Sequence, residues 1–193
     1  PAVEIVQVRG RETPTLEHGE YTAIIRLVVE EAAKKVPVIA GVGGNNTRKV
    51  AALAEEVSGL GVQGILSVAP YYNKPTQEGL YQHFEAIADS TDLPIIVYNV
   101  PGRTSSNIEP TTAARLAKIT NIVAIKEASG SITQQMETLA AVGPDFGVLS
   151  GDDAFTFPLM ALGGTGVISV ISNEIPGPMT RLARLCLDGK FDE

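Results

Sequence analysis

Lys126 closes the apolar run Ile122-Val123-Ala124-Ile125 and is followed at once by Glu127. An ammonium at the end of a buried strand is costly unless it is paired or neutral. Burial disfavours the charged form of a lysine, and a neutral amine attacks a carbonyl carbon to give a Schiff base. The plainer alternative is a strand-end lysine whose stem packs while its head reaches water or pairs with Glu127 or Asp152. Neighbours on a strand point to opposite sides, so Lys126 and Glu127 need not neutralise each other. Tyr98 ends the preceding apolar run and offers a phenol that can pass a proton to or from a carbinolamine. It serves equally well as a rim tyrosine with its hydroxyl in water. In the loop beyond it, the guanidinium of Arg103 is shaped to hold a carboxylate in two hydrogen bonds, or is an ordinary surface arginine. Tyr71 and Tyr72, ahead of Asn73-Lys74-Pro75, read first as packing or as an interface anchor. Asp152 and Asp153 read as the N-cap of a helix. His18 and His83 are too isolated to suggest a metal site and read as ordinary helix residues. No P-loop or nucleophile elbow is present.

These residues need elements to hold them. Apolar runs rich in Val and Ile cover 2–8, 37–41, 64–70, 94–100, 122–126, 146–151 and 166–172. They mostly lack alternation, which suits parallel strands covered on both faces. Amphipathic stretches at helical spacing lie between them: 21–35, 47–61, 76–90, 111–119, 131–143, 153–164 and 178–189. Asn45 and Asn46 are plausible N-caps of the second. Alternation at this pace predicts right-handed parallel βαβ units in a single α/β domain over 1–193, with no linker or low-complexity segment. The pattern alone leaves a doubly wound sheet and a (β/α)8 TIM barrel open. The barrel is favoured because the unusual residues gather at strand C-termini, where barrel active sites lie, and no dinucleotide fingerprint follows any strand.

Composition narrows the partners. The chain has 193 residues, 44% hydrophobic and 19% charged, with a net charge of −7 and no basic run, which argues against nucleic acid. A single cysteine, Cys186, precludes a disulfide framework within the chain. No apolar stretch reaches membrane-span length, and a cytoplasmic protein is expected. The start at Pro1, opening directly into a strand, suggests a trimmed or fragmentary N-terminus.

Taken together, the segments VPVIAGVGGNNT, APYYNKPTQEGLYQHFEAIA, LPIIVYNVPGRTSSNIEP, NIVAIKEASG, VLSGDD and ALGGTGVISV resemble the dihydrodipicolinate synthase family, pyruvate-dependent class I aldolases with a (β/α)8 barrel. The resemblance runs in order along almost the whole chain. It implies that Lys126 is the Schiff-base lysine, that Tyr98 relays protons there, and that Tyr72 reaches into a neighbouring subunit's site to complete the relay. Arg103 would receive the aldehyde substrate's carboxylate, and Gly151 and Ile168 would line the pyruvate pocket. The implied reaction condenses pyruvate with aspartate semialdehyde to 4-hydroxy-tetrahydrodipicolinate, in lysine biosynthesis, with no metal or organic cofactor. A homo-oligomer, dimer or tetramer, goes with Tyr72's role.

The chain departs from the family in two places. The paired threonines of the family's Gly-Thr-Thr-Gly-Glu stretch are replaced by Arg9 and Gly10. Arg9 can attract a carboxylate, but a guanidinium does not release a proton at neutral pH. The family's first β/α unit and its C-terminal helices are absent, which leaves strands 2–8 and 166–172 as unpaired edges. Three readings follow: a synthase, impaired or not; another pyruvate-dependent enzyme of the sialic-acid lyase or keto-deoxy sugar acid aldolase type; or a catalytically dead truncated paralogue with a structural role. His18, Asn45 and Tyr71 match positions of the family's lysine feedback site, but Lys49 stands where feedback-sensitive members carry an acid. Lysine is therefore expected to inhibit weakly or not at all; titrating activity with lysine checks this, and strong inhibition contradicts it.

Overall fold

A computed structural model describes residues 15–33 and 35–192, and the backbone of 6–8. Short polar side chains start several of its helices by taking up N–H groups that the first turn leaves unpaired. Asn46 accepts from Lys49 N–H at the start of α2 (Thr47–Ser58), Thr76 from Gly79 N–H at the start of α3 (Gln77–Ala88), and Ser131 from Gln134 N–H at the start of α6 (Ile132–Ala141). Helix α1 (His18–Ala32) begins on a reciprocal capping box between Glu17 and Glu20, so it starts earlier than the apolar spacing predicts. The remaining helices are α4 (Pro101–Thr104), α5 (Pro110–Leu116), α7 (Thr156–Ala161) and α8 (Pro176–Leu187).

Between the helices lie β1 (Val6–Val8), β2 (Val38–Gly41), β3 (Gly64–Val68), β4 (Ile95–Asn99), β5 (Ile122–Glu127), β6 (Gly147–Ser150) and β7 (Gly166–Val167). All pairings are parallel, and the seven strands lie in chain order, β1 to β7. That order decides between the two architectures. A doubly wound sheet reverses strand order at a switch point, and none exists among the described strands. Right-handed crossovers without reversal put every helix on one face, so the sheet must curl to cover the other. The result is the β/α barrel type, and among the described residues β1 and β7 each pair on one side only.

The two faces make separate layers. The outer one, between sheet and helices, is large and holds Ile25, Val57, Ile65, Leu80, Phe84, Ile95, Leu116, Ile125 and Leu159, among others. The inner one is small: Ile39, Leu66, Ile96, Ala124 and Ile168, with Tyr98 and Leu149 against it.

One expectation is corrected. The run 166–172 is a strand only over Gly166–Val167, and Ile171–Asn173 forms a 3-10 turn. The cause is Asp153, whose Oδ2 accepts from the N–H groups of Val170 and Ile171 at 3.1 and 3.0 Å and so turns them away from any strand ladder. Asp152 does cap the neighbouring turn, accepting from Ala154 N–H, so the expected N-cap is met by one acid of the pair. His83 lies on α3 as expected, and on its buried side. It is 3% exposed, its Nδ1 lies 2.8 Å from Thr47 Oγ1, and its Nε2 has no partner among the described residues.

Burial lowers the His83 pKa from 6.5 to about 4. Below pH 6.5 the unfolded chain therefore takes up a proton that the folded ring refuses. The stability tied to the neutral ring is complete above that value and is lost as pH falls towards about 4. Replacing the ring by methionine removes this term. Between about pH 7 and about pH 5, His83→Met is expected to lose roughly 2 kcal/mol less than wild type, measured by urea midpoints. Equal losses in the two proteins contradict the assignment.

Candidate active site

Strands β4 and β5 bring the chemistry together because their register is fixed. Tyr98 pairs with Lys126 and Asn99 with Glu127. This phase depends on an irregularity lower down, where Ile95 pairs with Ile122 but Ile96 pairs with Ala124, leaving Val123 as the extra residue of a bulge. Without it, Tyr98 would oppose Ile125, and Lys126 would share the outward phase of Asn99. A one-residue slip moves a side chain to the opposite face of a sheet.

With the bulge, Lys126 points into the barrel interior and is 6% exposed. Its Nζ sits 4.3 Å from the centroid of the Tyr98 ring, over the face that attracts a cation. Ion pairs among the described residues include His18–Glu56 and Arg115–Glu78. Glu127 faces the other way, fully buried behind the strands.

Gly151, just past β6, lies directly against the lysine. A Cβ there would meet Lys126 Cγ and Cε at 3.0 Å and Ala128 Cβ at 2.8 Å. The stem of Lys126 occupies the volume that any other side chain at this position would need. Ile168 is buried in the inner layer, and its N–H donates to Ser150 O at 2.9 Å, holding the chain beyond β7 against β6.

Lys126, Tyr98, Gly151 and Ile168 thus gather on the interior face at the C-terminal ends of β4 to β7. Arg103 and Tyr72 are not packed into this cluster. Arg103 is exposed on α4, in the loop beyond β4. Tyr72 is 88% exposed and has φ 74°, a left-handed backbone that an aromatic residue rarely adopts. Its N–H donates to Thr104 O at 3.3 Å, which ties this loop to α4. Asn45 donates to Tyr71 O at 3.2 Å, and Asn73 donates back to Asn45 O at 3.1 Å, so the loop is held from both sides. Arg9 and Gly10 lie outside the described residues. Among the described residues no cluster of His, Cys, Asp and Glu is arranged to hold a metal, and no helix is long and apolar enough to cross a membrane.

Reading the residues missed a second layer behind the site. Glu127 accepts from Ser129 N–H at 2.6 Å, Asn99 Nδ2 at 3.0 Å and Gln134 Nε2 at 3.3 Å. The signal was present as an offset: a polar residue follows each of Tyr98 and Lys126, and strand periodicity puts both followers on the opposite face.

Comparison with known proteins agrees with this fold. The family model described as the dihydrodipicolinate synthetase family matches residues 5–193. The 4-hydroxy-tetrahydrodipicolinate synthase of Syntrophobacter fumaroxidans is 52% identical over 181 residues, covering 94% of this chain and 62% of that protein. The crystal structure of dihydrodipicolinate synthase from Aquifex aeolicus superposes with a TM-score of 0.95 at 44% identity, covering 98% of this chain and 66% of that one. The chloride-inhibited dihydrodipicolinate synthase from Acinetobacter baumannii, complexed with pyruvate, gives a TM-score of 0.95 at 41% identity, covering 98% of this chain and 66% of that one. The chain therefore spans less than two thirds of the length of these relatives. With its ordered parallel strands, its interior lysine and a family match over nearly its full length, the chain belongs to the dihydrodipicolinate synthetase family.

Proposed function

We propose that this protein forms an imine with pyruvate through Lys126 and condenses it with aspartate semialdehyde to 4-hydroxy-tetrahydrodipicolinate, the lysine-biosynthetic reaction of a carbon-carbon lyase. The observation that carries this reading is the interior amine of Lys126, 6% exposed, against the face of Tyr98. The named activity of the relatives and the pyruvate bound to the Acinetobacter baumannii enzyme support it.

The steps follow from the residues. The neutral amine of Lys126 attacks the keto carbon of pyruvate, and the carbinolamine loses water to give the imine. Loss of a methyl proton converts the imine to an enamine, whose carbon attacks the aldehyde carbon of the second substrate. The new alkoxide takes a proton, and the second substrate's own amino group then displaces Lys126 from the imine carbon, closing the ring and releasing the free amine. Each step moves a proton, and the Tyr98 phenol, able both to donate and to accept, is assigned that work. Arg103, exposed beyond β4, is assigned the semialdehyde carboxylate, which favours the synthase over the sugar-acid aldolase alternative. Gly151 and Ile168 shape the pyruvate side of the pocket, and Arg9 and Gly10 are assigned to its carboxylate.

Tyr72 is assigned to a neighbouring copy's relay. An exposed tyrosine in a strained but well-tethered loop suits a contact outside its own chain. A homo-oligomer, dimer or tetramer, in the cytoplasm completes the reading.

Incubation with pyruvate followed by borohydride is expected to fix one reduced pyruvate on Lys126, read by peptide mass spectrometry. Lys126→Ala should show none, and Tyr98→Phe should slow turnover by about 10²- to 10⁴-fold. An unmodified Lys126 in the wild-type protein would remove the proposal and favour the dead-paralogue reading.

Gly151→Ala provides a separate check. The added methyl, 3.0 Å from Lys126 Cγ and Cε, must displace the stem. Overpacking of this kind is expected to lower stability by about 1–3 kcal/mol and to slow trapping at Lys126. A trapping rate equal to wild type would show that the stem does not rest where it is placed here.

A further inference from the structure

The inner and outer faces of β4 and β5 carry parallel pairs: Tyr98 with Lys126 inside, Asn99 with Glu127 outside, in the same register. We propose that Glu127, acting with Asn99, is the positioning residue of the reactive pair, and that its carboxylate sets where the Lys126 amine stands. The proposal rests on the imine reading above and adds a residue that does not touch the substrate.

Glu127 is fully buried and fixed at both of its polar ends. Its side chain spans two strands and the turn after them. Oε2 takes Asn99 Nδ2 from β4 at 3.0 Å and Gln134 Nε2 from α6 at 3.3 Å, and Oε1 takes Ser129 N–H at 2.6 Å. Its main-chain O accepts from Gly151 N–H at 2.9 Å, and Gly151 is the residue against which the Lys126 stem rests. Asn99 O in turn accepts from Ala128 N–H at 2.9 Å. The residue after Lys126 is therefore tied to the strand bearing Tyr98 on one side and to the glycine contact on the other.

Asn99 is held in one orientation. Its Oδ1 accepts from Ile108 N–H at 2.9 Å, which turns its Nδ2 towards Glu127 and Asn107. Gln134 is fixed in the same way, since its Oε1 accepts from Asn107 Nδ2 at 2.8 Å. Glu127 thus faces donors only, and only a group with two acceptor oxygens satisfies them all. An amide in its place would turn an NH2 towards one of those donors and leave a buried mismatch. A 1 Å error in the placement of a reacting group costs about 10²-fold in rate, so a tether one residue from the amine is well placed to control it.

The test is Glu127→Gln, with Gln134→Ala as a companion that removes one of the three donors to the Glu127 carboxylate and leaves Asn99 and Ser129 in place. Two readings are made on wild type and both variants: the pyruvate dependence of borohydride trapping, and the Lys126 Nζ to Tyr98 ring distance in crystal structures. We expect the maximal trapping rate of Glu127→Gln to fall by about 10- to 100-fold, with half-saturation by pyruvate within about twofold of wild type. Gln134→Ala should show a smaller fall of the same kind. In Glu127→Gln the Nζ–ring distance should lengthen beyond 4.3 Å. A variant that unfolds slightly more easily but traps at the wild-type maximal rate overturns the proposal, because a merely structural role would give that result. Failure of the wild-type protein to trap refutes the imine reading alone; the distance then decides this one, and an unmoved amine refutes it.

Discussion

The lateral register of two parallel strands is what the rest of the site depends on. Tyr98 stands opposite Lys126 because the bulge at Val123 shifts the phase of β5 by one residue before the strand reaches its C-terminal end. In a sheet with period two, phase is binary: a side chain is inside or outside. Inside, the amine lies on an aromatic face in the small interior layer. Outside, it would enter a layer already filled by helices. The bulge thus converts a backbone irregularity into the placement of a functional group.

The separation of the two layers explains how a polar site and a stable fold coexist. Phe84, Ile65, Leu80, Ile95, Leu116 and Ile125 are fully buried in the outer layer, where the helices cover the sheet. Burying a large apolar side chain contributes roughly 1.5–3 kcal/mol, so this layer carries most of the hydrophobic stabilisation. The inner layer is smaller and accommodates Lys126 and Tyr98 among Ile39, Leu66, Ile96, Ala124 and Ile168. Changes on the outer face are therefore felt mainly in folding.

What was legible in the sequence was whatever is encoded locally. Val/Ile runs gave six strands near their observed places. Asn46 marked a helix start because capping needs only a side chain within three residues. Lys126 and Tyr98 stood out because polar residues ending apolar runs are anomalous. What was not legible involves partners distant in sequence. Nothing near Val170 announces that Asp153 will take its N–H, yet that contact ends the seventh strand. Nothing beside His83 shows that Thr47 and the outer layer will enclose it. The bulge is similarly silent, since Val123 reads as one more strand valine and is extra only relative to β4.

Glu127 shows why a buried charge can persist in such a fold. Replacing a buried ionic group by an apolar residue of the same shape is often neutral or stabilising, so stability alone is a weak reason to keep one. Here the alternatives are worse for a geometric reason. Leucine at position 127 would leave the N–H of Ser129 and the amide groups of Asn99 and Gln134 facing a side chain that accepts nothing. Several residues on β4, β5 and α6 would have to change together to remove the polar cluster. The network joins Asn107 and Gln134 through Nδ2 to Oε1 at 2.8 Å and Nε2 to Oδ1 at 3.1 Å, so its members support one another. A polar cluster of this kind fixes one arrangement of the strand ends where a purely apolar contact would tolerate several. That singleness of arrangement is what an amine and a phenol on neighbouring strands require.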